Sequence, residues 1–336
     1  MSVQIAVDAM GGDHAPEVVV EGAIAAAQEA DDSVHILLVG PRERLERLLA
    51  SHQASQLPIS VLHAPEVIGM DESPSVALRA KPQSSVHVGL QAHKSGQAQA
   101  FVSNGNTGAV MAAALFILGR LPNISRPALP AYFPTLENTS IVLDVGANVD
   151  CKPEHLVQFA LMGSLFYQVH LHKERPTVAL LNVGEEPSKG NEVVRQAYQL
   201  LSEKTTELNF IGNVEGRDIF YHGADVVVCD GFVGNVLLKF GESIPDILQR
   251  LIKEAVVNEQ LGEKEQYLIF GVLKQVLRRF DYAEFGGVPL LGINGTVLIG
   301  HGSAPARAVK RMILEAASMV EERILDRMAE LFKTTH

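Results

Sequence analysis

The chain has 336 residues, 47% of them hydrophobic, and carries 28 Lys and Arg against 39 Asp and Glu, a formal charge of −11. That balance excludes a general nucleic-acid binder, which needs a net basic face for phosphate contacts, and 6% aromatic content without tryptophan leaves few platforms on which single strands could stack. No window of about 18 residues is apolar enough to span a bilayer, and a chain of this length buries a sizeable core without disulfides or metal.

The opening stretch MSVQIAVDAMGGDHAP has no basic leader and an apolar run of one strand's length, so it reads as a first strand (3–9) and its turn rather than a signal peptide. PEVVVEGAIAAAQEA follows as a helix. HILLVG (35–40) reads as a strand, and PRERLERLLASH as the next helix, with Pro41 placed at its start. The alternation continues through ISVLHA, AFVSN, SIVLDVG, TVALLNVG, LNFIGNV and ADVVVCDG, while LPAYFPT (129–135) before SIVLDV predicts a local hairpin that adds an antiparallel element. Strands this uniformly apolar are buried on both faces, so the expected architecture is α/β, a largely parallel sheet with helices on both faces. No solenoid repeat and no linker rich in Pro, Gly or Ser divides the chain, so 1–336 reads as a single α/β domain or as two interleaved lobes.

One stretch breaks the rhythm. From Pro245 to Phe280 there is no strand signal, and the sequence predicts a helical insertion (245–280) of two helices joined around Gly262. In the second, Leu273, Val276, Leu277 and Phe280 fall on one face, and Lys274, Gln275, Arg278 and Arg279 on the other. A last long helix, from Pro305 to Phe332, carries Arg307, Lys310 and Arg311 near its start.

Ligands of open α/β sheets bind at the carboxyl ends of strands, and five strand-to-helix turns combine glycine with polar side chains. DAMGGDHAP holds Gly11 and Gly12; SNGNTG holds Ser103, Gly105, Asn106, Thr107 and Gly108; DVGANVD (144–150) holds Asn148; NVGEEPSKGNE (182–192) holds Lys189 and Gly190; CDGFVGNV (229–236) holds Asn235. Gly and Asn are also ordinary turn residues, but five such turns on one sheet edge predict a shared cleft. There is no G-x-G-x-x-G after the first strand, no Walker loop, no G-x-S-x-G elbow and no H-E-x-x-H. Cys151 and Cys229 lack metal-ligand spacing and read as packed thiols in a reducing, cytosolic compartment, and His170 and His172 read as surface residues. Neither metal nor cofactor is expected. The pattern points to a reaction without a covalent enzyme nucleophile, in which a substrate carries its own. Lys189 beside Gly190 at a helix head suits a phosphate-type oxyanion; as a merely solvated lysine it would oppose the helix dipole.

The blocks VDAMGGDHAP, LRAKPQSSVHVGL, SNGNTGAVMA, RPAL, LDVGANVDCKPEHLVQFALMGS, LLNVGEEPSKGNE, VCDGFVGNVLLK and LLGINGTVLIGHG run in order over nearly the whole chain. Together they closely resemble the bacterial phosphate acyltransferases, the fatty acyl-[acyl-carrier-protein]:phosphate acyltransferases of phospholipid synthesis. The resemblance implies transfer of a fatty acyl group from acyl carrier protein to inorganic phosphate, giving the acyl phosphate that a membrane glycerol-3-phosphate acyltransferase consumes. It also implies a fold similar to phosphotransacetylases and isocitrate/isopropylmalate-type dehydrogenases, and a cytoplasmic homodimer with peripheral membrane contact. By the resemblance Lys189, Asn106 and Thr107 are catalytic. Gly11, Gly12, Arg79, Ser103, Gly105, Gly108, Asn148, Gly190 and Asn235 shape the phosphate and substrate site, with Asp8, Asp13 and Asp144 bracing the loops. The Lys-Gly step at 189 matches the family directly, whereas Asn104 departs from the pattern Ser-Ala-Gly-Asn-Thr-Gly, which has a small residue there. An acidic carrier protein meeting an acidic chain needs a local basic face, either Lys274, Arg278 and Arg279 or Arg307, Lys310 and Arg311. The amphipathic stretch 267–280 could instead lie on an anionic membrane or pack at a dimer interface. Two rivals stay open: a phosphotransacetylase-like enzyme using acyl-CoA, and a non-catalytic scaffold that binds carrier protein or membrane.

Overall fold

In chain order the strands are β1 (Val3–Asp8), β2 (Val34–Gly40), β3 (Ile59–His63), β4 (Ala100–Ser103), β5 (Pro130–Pro134), β6 (Thr139–Leu143), β7 (Thr177–Asn182), β8 (Asn209–Glu215), β9 (Val226–Val228), β10 (Val288–Pro289) and β11 (Thr296–Ile299). The helices are α1 (Glu17–Glu29), α2 (Arg42–Ser51), α3 (Pro74–Ala80), α4 (Ser85–Lys94), α5 (Thr107–Ile117), α6 (Pro153–His170), α7 (Glu192–Ser202), α8 (Gly231–Asn258), α9 (Glu263–Leu277), α10 (Ala306–Glu321) and α11 (Ile324–Thr334). These come from a computed structural model that describes residues 2–204 and 207–334. The chain divides into two compact units, one of Met1–Pro130, Leu165–Glu174 and Tyr282–His336, the other of Ala131–Ser164 and Arg175–Asp281.

The first unit holds a sheet ordered β10-β11-β4-β1-β2-β3, parallel except for β10. Its central strands are apolar without alternation because helices cover both faces: α1 packs with α10 and α4 with α5, and α10 and α4 both lie against β1. Edge strand β3 is only half-buried, which fits its Ser60 and His63. Gly22, in the interior of α1, gives up about 1 kcal/mol of helix propensity relative to alanine. A Cβ there would stand 2.5 Å from the Cβ of Val309, so the glycine is what lets α1 and α10 touch backbone to side chain.

The second unit holds a sheet ordered β5-β6-β9-β7-β8, in which β6, β9, β7 and β8 run parallel. The hairpin read from LPAYFPT forms β5 and β6, closed by the Thr135 N–H donating to Asn138 O at 2.9 Å.

Four expectations are corrected. The strands form two sheets, so the five glycine-bearing turns do not share one edge: two follow β1 and β4 in the first sheet, and three follow β6, β7 and β9 in the second. Apolarity announces a buried strand but not its partners. The helix expected from Pro245 begins at Gly231, where Asp230 Oδ1 accepts the Val233 N–H at 2.8 Å as a cap, and it runs through Pro245 before α9 starts after Gly262. Of the apolar face read on α9, Leu273 is buried and Val276 is 48% exposed. The single last helix is two, α10 and α11, broken where Arg323 takes a left-handed φ of 57°.

His170 is not a surface residue. Its Nε2 lies 2.5 Å from Glu315 Oε1 and its Nδ1 3.0 Å from Glu322 Oε2, so the end of α6 is clamped to α10. Burial alone would lower its pKa, but hydrogen bonds and charge from the two carboxylates prevail and hold it above the ordinary value. A raised histidine stabilises fully below its unfolded pKa of about 6.5 and loses that contribution as pH rises through the folded value. We expect the denaturation midpoint of the protein to exceed that of His170→Gln at pH 6, with the gap closing as pH rises past the raised pKa; a gap constant with pH in paired melts would contradict the clamp.

Candidate functional site

In the first unit, β1 and β4 are parallel neighbours, and their carboxyl ends carry Asp8 and Ser103 side by side. Asp8 is almost wholly buried. Its Oδ2 accepts from Ser103 Oγ at 2.6 Å and its Oδ1 from the Met10 N–H at 3.1 Å, while Ser103 Oγ accepts the Gly105 N–H at 3.0 Å. Burial pushes the Asp8 pKa up even though hydrogen bonds from Ser103, Ser85 and the Met10 and Gly11 N–H groups work the other way. Two turns are thus tied through one carboxyl. A Cβ on Gly11 would stand 2.6 Å from both Asp8 Oδ2 and Gly105 N, so only glycine fits there, and Gly12 turns the chain with a φ of 110°.

Asn106 caps α5, its Oδ1 accepting the Ala109 N–H at 3.0 Å, and its Nδ2 donates to Met70 O at 2.9 Å and Glu72 O at 3.0 Å. The side chain expected to hold a substrate is therefore occupied as a brace between α5 and the 70–72 segment. What opens outward is the helix end itself. Among the described residues the N–H groups of Thr107 and Gly108 make no hydrogen bond within the protein, and the Thr107 side chain is exposed. Pro74 of α3 packs so close that a Cβ at Gly108 would meet its Cγ at 2.8 Å. Arg79, also on α3, is exposed and forms no ion pair among the described residues; Asp13 is exposed, its N–H donating to Gly302 O at 2.8 Å.

In the second unit, fully buried Asp144 follows β6. Its Oδ2 accepts from the Asn148 N–H at 2.6 Å and from Asn148 Nδ2 at 3.0 Å, and its Oδ1 from the Ala147 N–H at 3.2 Å. Asn148 O in turn accepts the Gly231 N–H at 2.7 Å, stitching this turn to the start of α8. Asn148 is therefore buried in the turn, whereas Asn235 stands exposed on α8 near Gly146. After β7, Asn182 closes the NVGEEPSKGNE turn, Nδ2 donating to Lys189 O at 3.2 Å and Oδ1 accepting the Val183 N–H at 2.8 Å. Gly190 adopts a φ of 87°, and a Cβ there would lie 2.5 Å from Asn182 Oδ1. Lys189 precedes Asn191, the cap of α7; it is exposed, its stem lies along Gly184, and its ammonium makes no ion pair among the described residues. Sequence reasoning missed Asn182, whose position at the very end of an apolar strand was the available signal.

Burial, with Asp230 and Asp144 nearby, pushes the Cys229 thiol well above its ordinary value, and Cys151 is half-buried. Lys274, Arg278 and Arg279 are exposed at the end of α9, where Arg279 Nη2 donates to Leu136 O at 3.3 Å. The other basic set meets acids of its own unit: Arg307 Nη1 lies 3.7 Å from Glu284 Oε1, Lys310 Nζ lies 2.6 Å from Glu29 Oε2, and Arg311 Nε donates to Glu284 O at 3.3 Å. Among the described residues no helix is long and apolar enough to cross a membrane.

Two mostly parallel sheets with glycine-bearing turns at the strand ends define an α/β fold that solved phosphotransacetylases share. EutD phosphotransacetylase from Staphylococcus aureus shares the fold with a TM-score of 0.60 at 17% identity, over 95% of this chain and 94% of that one. So does 4-hydroxythreonine-4-phosphate dehydrogenase from Klebsiella pneumoniae, with a TM-score of 0.57 at 14% identity over 95% and 98%. The family described as fatty acid synthesis protein matches residues 3–327. Proteins named phosphate acyltransferase in Salinibacter ruber and Chlorobaculum parvum are 49% and 48% identical, covering 99% and 97% of this chain and 98% of each relative. The chain belongs to this phosphate acyltransferase family.

The packing of α8 against the Asp144 turn yields a paired expectation. A Cβ at Gly234 would stand 1.9 Å from Asp144 O, so Gly234→Ala should destabilise by about 2 kcal/mol or more. Gly271, on α9 with nothing within 4 Å, should gain about 0.5–1 kcal/mol as alanine. Urea titrations of the two variants moving in the same direction would contradict this account.

Proposed function

We propose that the protein transfers a fatty acyl group from the thioester of acyl carrier protein to inorganic phosphate. The single observation that carries the reading is the amino end of α5, where unpaired N–H groups of Thr107 and Gly108 stand beside an exposed Thr107 hydroxyl on a turn held rigid by Asp8, Ser103 and Asn106. Backbone N–H groups at a helix start, with the dipole behind them, favour a multiply charged oxyanion. Membership of the phosphate acyltransferase family supports the same assignment.

Hydrogen phosphate dianion is nucleophilic near neutral pH, so the protein's part is to position and stabilise. A phosphate oxygen attacks the thioester carbonyl carbon and gives a tetrahedral oxyanion. Collapse breaks the C–S bond, the phosphate proton passes to the departing thiolate, and acyl phosphate and free carrier thiol remain. The Thr107 and Gly108 N–H groups and the Thr107 hydroxyl hold the anion, with Arg79 as a further cation of the same unit; Gly11, Gly12 and Gly105 allow the close turns. Within the second unit, Lys189 at the Gly190 turn supplies an unpaired cation, and Asn148 and Asn235 shape the neighbouring turns. Acyl carrier protein docks on Lys274, Arg278 and Arg279, three basic side chains exposed together at the end of α9. The enzyme works in the cytoplasm as a homodimer with peripheral membrane contact, feeding a membrane glycerol-3-phosphate acyltransferase; exposed Tyr267, Leu268 and Val272 on α9 support an apolar contact there.

Purified protein mixed with palmitoyl carrier protein should release thiol only when phosphate is present; release independent of phosphate, or faster with acyl-CoA, would reject this assignment. Lys189→Ala should lower kcat/KM by roughly 100-fold, about 3 kcal/mol in the transition state. Reversing charge at Arg278 and Arg279 together should raise KM for the carrier protein about tenfold and leave KM for phosphate unchanged.

A further inference from the structure

Asn104 has no part in the bracing or the anion contacts described above. It follows Ser103 at the end of β4 and is only 3% exposed. One end of its amide, Oδ1, is sealed from solvent and has no hydrogen-bond partner. That oxygen fills the space over Gly300, where a Cβ would stand 1.9 Å from it. Among the described residues Nδ2 makes no hydrogen bond either, and it is not one of the atoms sealed from solvent.

An unpaired buried carbonyl costs stability, and alanine or serine at this position would avoid that cost. The reversed amide would be worse, because it would seal two unpaired N–H donors, and orphaned buried donors are rarer than under-satisfied carbonyls. The group left unsealed is therefore a donor, and among the described residues nothing receives it. It emerges from the same turn that leads through Gly105 into the amino end of α5, and the Cβ of Asn104 lies 3.4 Å from where a Cβ at Gly12 would be. A neutral amide with two free N–H bonds, held stiff by a packed core, matches an oxyanion already attracted by helix N–H groups.

We propose that Asn104 contacts substrate and sets the affinity for inorganic phosphate, Nδ2 donating to a phosphate oxygen, with Gly300 required to leave room for Oδ1. This rests on the phosphate-binding reading given above. It is tested by calorimetric titration of phosphate into the full chain without acyl donor, together with thermal melts and the phosphate-dependent thiol release assay. Asn104→Ala should weaken phosphate binding and raise KM for phosphate about tenfold, as expected for losing a hydrogen bond to a charged group. Its melting temperature should equal or exceed the parent's, since an unpaired buried carbonyl is removed. Asn104→Asp should bind phosphate more weakly still, because a carboxylate would face the anion. Should alanine prevent folding, Asn104→Ser carries the same expectation. Phosphate affinity and KM equal to the parent's in a folded Asn104→Ala, or a fall in kcat with phosphate affinity intact, overturns the inference while leaving the acyl-transfer reading standing. A parent that makes no acyl phosphate and binds no phosphate overturns both.

Discussion

Two carboxyl groups buried at the ends of central strands, Asp8 and Asp144, organise the loops on which the proposed chemistry depends. Each sits where a hydrophobic strand gives way to a turn that needs its N–H groups satisfied; Asp8 gathers donors from two stretches of chain, and Asp144 from Ala147 and Asn148 in the turn that follows it. Hiding a carboxyl from water is unfavourable, as the raised pKa of Asp8 records. The return is precision, because a turn anchored through a buried acceptor has few alternatives, and its free N–H groups point in one direction.

That constraint explains why glycine recurs at these positions. Where Gly11 passes Asp8 and where Gly231 and Gly234 pass Asp144, the backbone is drawn so close to the carboxyl or its carbonyl that no side chain fits. Such glycines belong to loop packing. The groups proposed to meet a ligand are the two helix-start N–H groups and the hydroxyl at α5, Nδ2 of Asn104 and the guanidinium of Arg79, and, in the second unit, the ammonium at the turn before α7.

The alternation of strand and helix was legible because every central strand is apolar at nearly every position, a pattern with one structural solution, and LPAYFPT announced its hairpin through closely spaced prolines and turn residues. The division into two sheets was not legible, since Val226–Val228 and Ala100–Ser103 look alike and pairing is decided by contacts distant in sequence. The start of α8 was hidden by Pro245, which suggested a boundary, although the cap was Asp230, fifteen residues earlier. Within the candidate site, SNGNTG marked the turn that leads into the amino end of α5. The partition of labour inside it, Asn106 turned inward as a brace and Thr107 outward, depends on two carbonyls from the 70–72 segment that no local pattern reveals. His170 was misjudged for the same reason: its two glutamates lie more than a hundred residues along the chain.

The double donation by Asn106 gives that side chain a vulnerability that its neighbours lack. Spontaneous loss of ammonia from its amide would leave a carboxylate of almost identical shape, still able to cap α5. It would now oppose two carbonyl oxygens with negative charge where it had offered them protons. An ageing molecule could thus keep its fold and its helix while the strap across residues 70–72 comes undone, and the damage would register first as a loosened loop rather than as unfolding.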